Sequence, residues 1–227
     1  RSVGGDFYTF VNKDIRTLAQ KPKIPGVIEY VDSRESYLGV AIGDVAGHGV
    51  SSALVMALTS GLMGEIGKTT KSPSDLLKIA NNNILRYIEN SQISYVTAFY
   101  CVLNIPRRKL LYSSAGHVPA LLVHKDSKME VLDAEGVVLG MYEDEKYEEK
   151  EITTSPGDRL FLYTDGILEA RNPSGELFGF ERFQAFIQKN INKPIDEIKE
   201  LIFEEVSLFS ASKEAKDDQT LVIIEVD

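Results

Sequence analysis

Between Tyr95 and Asp165 six strand-like runs follow one another: "YVTAFYCVLN", "KLLYSSAG", "PALLVHK", "MEVLD", "YEEKEIT" and "DRLFLYTD". Turn residues separate them at close intervals, which calls for antiparallel meanders rather than strand–helix–strand crossovers. Upstream, "SYLGVAIGD" (Ser36 to Asp44) is a short apolar run that gives way to a helical pattern at Val50. There Ala53, Leu54, Ala57, Leu58, Gly61 and Leu62 supply the spacing of an apolar face, and Ser51 or Ser52 is the expected cap. A second helix is predicted in "SPSDLLKIANNNILRYIEN", with Ser72 as N-cap and Pro73 in the first helical position. Its stripe is Leu76, Leu77, Ile79, Ala80, Ile84, Leu85 and Ile88. Two more helices, "GFERFQAFIQKN" and "PIDEIKELIFEEVSLFSAS", and a strand, "QTLVIIEV", end the chain. Helices bunched between blocks of antiparallel strands predict a layered α+β domain, two helix pairs covering β-sheet. No low-complexity linker and no repeat interrupts residues 1–227, so a single domain is expected.

The net charge of −9 argues against a nonspecific nucleic-acid binder or a protein held on an anionic membrane. It leaves room for divalent cations and for basic partner surfaces. The single cysteine, Cys101, excludes an internal disulfide and a cysteine-based zinc cage, and its place in "TAFYCVLN" reads as a buried strand thiol. His48, His117 and His124 are scattered without metal-ligand spacing. No signal peptide is visible, and no apolar run approaches the roughly 20 residues that cross a bilayer. The expectation is therefore a cytoplasmic domain without direct membrane contact. The opening "RSVGGDFY" lacks an initiator Met, as expected for the C-terminal part of a longer protein.

Chemistry enters through aspartates at strand ends and glycine turns. Asp6 follows two glycines in "GGDFY"; Asp44 ends the apolar run in "VAIGDV"; Asp165 does the same in "LFLYTDG"; Asp217 and Asp218 precede the last strand in "KDDQTLVIIEV". Any one alone is adequately explained as turn chemistry. Brought together they would repel and raise one another's proton affinity, a cost that a divalent cation cancels. An all-oxygen donor set suits Mg²⁺ or Mn²⁺, and two such ions about 3.5–4 Å apart can aim a water at phosphorus. Hydrolysis of a phosphate ester is the reaction class this points to. Asp158 in "SPGDRL" reads as a turn residue, and Asp75 and Asp196 as helix-start acids. The run "MYEDEKYEEKE" reads as a solvated strand and turn, and His117 as fixing a turn rather than ligating metal. His48 could donate to a phosphate or merely cap its loop.

Taken in order, "VGGDFY", "VAIGDVAGHGVSSAL", "VTAFYCVLN", "LLYSSAGHVPALLV", "LFLYTDGILEARN" and "KDDQTLVIIEV" resemble the metal-dependent protein phosphatase family, whose best-known branch is protein phosphatase 2C. The likeness is closer to the bacterial SpoIIE-type branch and runs almost from the first residue to the last. It implies a four-layer α-β-β-α sandwich, two antiparallel sheets packed face to face with helix pairs outside. It also implies hydrolysis of phosphoserine or phosphothreonine on a protein, dependent on two Mn²⁺ or Mg²⁺ ions. Residue by residue, Asp6 would hold one metal, Asp44 would bridge both and the Val45 carbonyl would complete that shell. Asp165 and Asp217 would hold the other metal, with Asp218 the less favoured of the final pair. The resemblance further implies a phosphorylated anti-sigma-factor antagonist as substrate and a regulatory sensor segment N-terminal to the domain, and it leaves a homodimer open. Two departures stand out: Thr9 takes the place of a second aspartate, and the strand that usually precedes the first motif is missing. Thr9 keeps alive a catalytically impaired domain that only binds phosphoprotein. "GGDFY" alone could be mistaken for a diguanylate cyclase signature, but Phe7 stands where a cyclase has an acid.

Overall fold

The computed structural model describes residues 4–12, 36–88, 95–211 and 217–227; Arg1, Ser2, Val3, Glu89, Asn90, Ser212 and Lys216 of the quoted segments lie outside them. In chain order the elements are β1 (Phe7–Asn12), β2 (Tyr37–Val45), α1 (Val50–Thr69), α2 (Pro73–Ile88), β3 (Val96–Asn104), β4 (Lys109–Ala115), β5 (Ala120–Val123), β6 (Met129–Leu132), β7 (Lys150–Thr153), β8 (Arg159–Tyr163), α3 (Asp165–Leu168), α4 (Gly179–Asn190), α5 (Ile195–Ser210) and β9 (Leu221–Glu225).

Strand β3 shows why the layers form. Side chains alternate between faces along a strand, so a run that is apolar at nearly every position must be covered on both sides. On one face Val96, Ala98, Tyr100 and Val102 join Met63 of α1 and Leu76 and Ile84 of α2. On the other, Phe99, Cys101 and Leu103 join Val40 and Ile42 of β2, Leu122 of β5 and Leu160 and Leu162 of β8. A third core repeats the pattern: Leu121, Phe161 and Tyr163 pack on Phe183 and Ile187 of α4 and Ile198 and Ile202 of α5. Three buried strata separate four layers, the α-β-β-α sandwich expected. The sheets run β1-β2-β3-β4-β7 and β6-β5-β8-β9, with every ladder antiparallel.

Helix α2 follows its sequence signals. Ser72 Oγ accepts the Asp75 N–H at 3.2 Å, Pro73 opens the helix, and Leu76, Leu77, Ala80, Ile84 and Ile88 are buried. Ile79 is exposed, and buried Asn81 instead binds the loop beyond β6, accepting from Gly140 N–H (2.8 Å) and donating to the Tyr142 carbonyl (2.7 Å).

Helix α1 departs from expectation. Its buried face is Ser52, Val55, Thr59, Met63 and Gly67, while Leu54 is 67% exposed and Ala57 and Gly61 face outward. Fit, not hydrophobicity, selects the face. A Cβ on Gly67 would lie 2.8 Å from Val11 Cγ2 and 3.0 Å from the Tyr100 hydroxyl, so small residues let the helix settle onto the sheet. The expected serine cap is also absent: Ser52 Oγ donates to the Gly49 carbonyl (3.1 Å) rather than accepting a helix N–H. By length and composition α1 could cross a membrane, with 20 residues and a mean hydropathy of 1.3 over its most apolar window. Glycine, serine and threonine break its apolar run without adding charge, which hid that property from a reading by apolar runs; one face packs against β1 and β2.

Candidate metal and active site

Two ladder ends build the site. Where β1 begins and β2 ends, Phe7 pairs with Gly43, leaving Asp6 and Asp44 at the rim of one sheet. Where β8 ends and β9 begins, Tyr163 pairs with Leu221, leaving Asp165 and the 217–218 pair at the rim of the other. Antiparallel pairing therefore turns four distant chain segments into neighbours.

Hydrogen bonds lace the segments together. Gly5 N–H donates to Asp218 Oδ2 (2.8 Å) and Val45 N–H to the Gly5 carbonyl (3.3 Å). Thr164 Oγ1 donates to Asp6 Oδ2 (2.7 Å) and accepts the Thr220 N–H (3.0 Å). Gln219 Nε2 donates to the Gly166 carbonyl (3.1 Å). Glycines make this approach possible: a Cβ on Gly4 would lie 1.9 Å from Asp218 Oδ2, and one on Gly166 would lie 1.9 Å from the Asp218 carbonyl. A Cβ on Gly5 would lie 2.7 Å from both Asp44 Oδ1 and the Val45 carbonyl oxygen, so these two proposed donors flank one point.

The carboxylates feel one another. Burial, then the charges of Asp6, Asp165 and Asp217, push Asp44 from 3.8 up to about 7. Burial also raises Asp6, with the Thr164 and Thr220 hydroxyls opposing it and Asp218 and Asp165 adding to it. Burial raises Asp165, followed by the charges of Glu169 and Asp217, against the Gly166 N–H. Glu169 escaped the sequence reading; the signal available was its position four residues beyond Asp165 on a helical turn.

The ring stands open: among the described residues, no three His, Cys, Asp or Glu groups are gathered tightly enough to hold an ion. Its donor set nonetheless fits a hard divalent cation, being all oxygen and mutually repelling. Asp218 is turned to Gly5, whereas Asp217 is exposed and charges against Asp44 and Asp165. His48 is exposed in the turn between Gly47 (φ 106°) and Gly49 (φ 89°), and no hydrogen bond joins it to the ring among the described residues. Thr9 lies three residues along β1, about 10 Å from Asp6 at strand rise. Its hydroxyl is 3.6 Å from where a Cβ on Gly64 would sit, so it faces α1. Its replacement of an acid subtracts nothing from the rim.

Both ring nitrogens of His117 are engaged by protein partners, and the ring does not fix the turn. That turn is held by Ser114 Oγ, which accepts His117 N–H (3.2 Å) and donates to the His117 carbonyl (3.3 Å), and by Gly116 at φ 64°. The buried ring instead reaches Thr97 Oγ1 through Nδ1 (3.0 Å) and the Tyr163 carbonyl through Nε2 (3.1 Å). Cys101 is a buried strand thiol pushed by burial up to about 12, which makes it no nucleophile.

Residues 34–227 match the family described as Stage II sporulation protein E (SpoIIE). The chain is 30% identical over 198 residues to the phosphoserine phosphatase RsbU of Bacillus subtilis (strain 168), covering 86% of this chain and 57% of that protein. It is 27% identical over 199 residues to the phosphoserine phosphatase RsbP of the same organism, covering 87% of this chain and 48% of that one. It thus spans about half the length of these curated relatives. Its fold is that of the SiaA-PP2C domain of Pseudomonas aeruginosa, with a TM-score of 0.77, 21% identity, and coverage of 99% of this chain and 81% of that one.

Proposed function

The chain belongs to the SpoIIE family, and on that premise we propose that it is a metal-dependent protein serine/threonine phosphatase acting on a phosphorylated anti-sigma-factor antagonist in the bacterial cytoplasm. The observation that carries the reading is the convergence of Asp6, Asp44, Asp165 and Asp217 from four segments at one rim, where Asp6, Asp165 and Asp217 each raise the proton affinity of Asp44. Two curated relatives named phosphoserine phosphatases support the reaction class.

Asp6, Asp44, the Val45 carbonyl, Asp165 and Asp217 would hold Mn²⁺ or Mg²⁺, with Asp218 instead accepting the Gly5 N–H. Bound there, such ions would lower the pKa of a water and polarise the phosphoryl oxygens. The chain's own work is placement. Strand ends aim Asp44 and Asp165, the glycines bring backbone close, and Thr164 sets Asp6. The N-terminus of α1, which no side chain caps, favours a phosphate's charge. His48 in the same turn is available to donate to a phosphate oxygen. Thr9 facing α1 leaves the impaired-domain reading without its motive.

The test is a Mn²⁺-titrated assay on a phosphoserine-bearing antagonist protein, with Asp44→Asn and Asp165→Asn in parallel. Phosphate release should vanish in chelator and in both folded variants. Turnover that persists in chelator overturns the proposal.

A further inference from the structure

The two sheets meet face to face, about 10 Å apart, and each carries half of the acidic ring. We infer that His117 is a positioning residue: with Thr97 it ties the rim bearing Asp44 to the rim bearing Asp165, holding the two halves of the ring in register. The inference rests on the reading of that ring as a metal site.

The direction of every hydrogen bond follows from one carbonyl. The Tyr163 oxygen can only accept, so Nε2 carries the proton. In a neutral ring Nδ1 then accepts from the Thr97 hydroxyl (3.0 Å), a nearer acceptor for that one proton than the Asp44 carbonyl (3.4 Å). The Thr97 oxygen in turn accepts the Asp44 N–H (3.3 Å). Register places Thr97 directly opposite Asp44 across the β2–β3 ladder. On the far side Tyr163 is followed by Thr164, whose hydroxyl holds Asp6. One chain of contacts therefore runs from Asp44 through both sheets and back to Asp6. Burial keeps the ring neutral, pulling His117 down to about 4, so the tie keeps its polarity across the working pH range. His117 is 8% exposed, and its ring hydrogen bonds go to Thr97 and Tyr163 rather than to a proposed ligand.

Groups that orient metal ligands from behind change metal affinity 10–100-fold when removed. The test is calorimetric Mn²⁺ binding to the whole chain, beside a melting temperature in chelator, for wild type, Thr97→Val, Thr97→Ser, His117→Phe and the Thr97→Val/His117→Phe pair. Thr97→Val, nearly isosteric, should weaken Mn²⁺ by about tenfold or more, and Thr97→Ser should restore wild-type binding. The double variant should bind no worse than His117→Phe alone, because both changes cut the same chain. Thr97→Val that melts lower yet binds Mn²⁺ like wild type would make the contact mere packing and overturn the inference. Should His117→Phe not fold, the Val–Ser pair at position 97 still decides. Wild-type protein that takes up no Mn²⁺ overturns the metal reading itself, and the tie with it; that failure is read from wild type alone.

Discussion

Replacing Asp44 by asparagine should stabilise the metal-free protein at alkaline pH. The carboxyl titrates near 3.8 when solvated and at about 7 in the folded chain. Between those values the folded chain holds a proton that the unfolded chain has released, so stability falls as pH rises through this window and stays low above it. A difference of about 3 pH units corresponds to roughly 4 kcal/mol at full weight. Asp44 is only partly buried, so solvent screening cuts that to about 2 kcal/mol. Asparagine keeps the size and removes the charge. For a chain this long, about 2 kcal/mol raises the melting temperature by about 4–8 °C. The assay is calorimetric or fluorimetric melting in chelator. At pH 8 Asp44→Asn should melt above wild type; at pH 5, where Asp44 is protonated, the advantage should disappear. Saturating Mn²⁺ should then raise wild type and leave the variant nearly unmoved. A variant that melts at or below wild type at pH 8 in chelator would refute the crowding of the ring.

Two further outcomes follow from local geometry. Gly166→Ala places a methyl 1.9 Å from a backbone carbonyl and should lower the melting temperature and abolish Mn²⁺ binding, whereas Gly61→Ala meets no atom within 4 Å and should stabilise α1 by about 0.5–1 kcal/mol in urea titration; equal effects would contradict the packing at the rim. Cys101 should resist iodoacetamide at pH 8 in the folded protein and react once guanidinium unfolds it, and prompt labelling of native protein would contradict the burial of β3.

Most of the architecture was legible because antiparallel strands announce themselves locally. The six closely spaced runs each became a strand, and Ser72–Pro73 opened α2 as capping chemistry requires. One exception was the face of α1. Its sequence is apolar nearly all round, so periodicity cannot choose a side. What chose it was the contour of the sheet beneath, where Val11 and Tyr100 come so near Gly67 that even a methyl there would force them to shift. The one-turn helix α3 hid for the opposite reason: four residues after a strand are too short for any period to register.

The ring divides the same way. Each acid could be suspected because a rigid strand end or a glycine turn aims it, and both are visible in a few consecutive letters. What sets the acids relative to one another is not local. Thr97 and His117 stand 20 positions apart, and Thr164 and Asp6 stand 158 apart. Nothing within such a gap marks two polar side chains as partners until the sheets are stacked. The final aspartate pair shows the consequence. As letters, Asp217 and Asp218 are equivalent, and only the approach of Gly5 and Gly166 distinguishes them. Asp218 is occupied, its carboxylate by the Gly5 N–H and its backbone by the close pass of Gly166. Asp217, whose Oδ1 accepts the Asp218 N–H (2.9 Å), acts on Asp44 and Asp165, where a cation would relieve the repulsion. On the proposed assignment, the choice between neighbours in sequence follows from the contact of Asp218 with Gly5, 213 positions away.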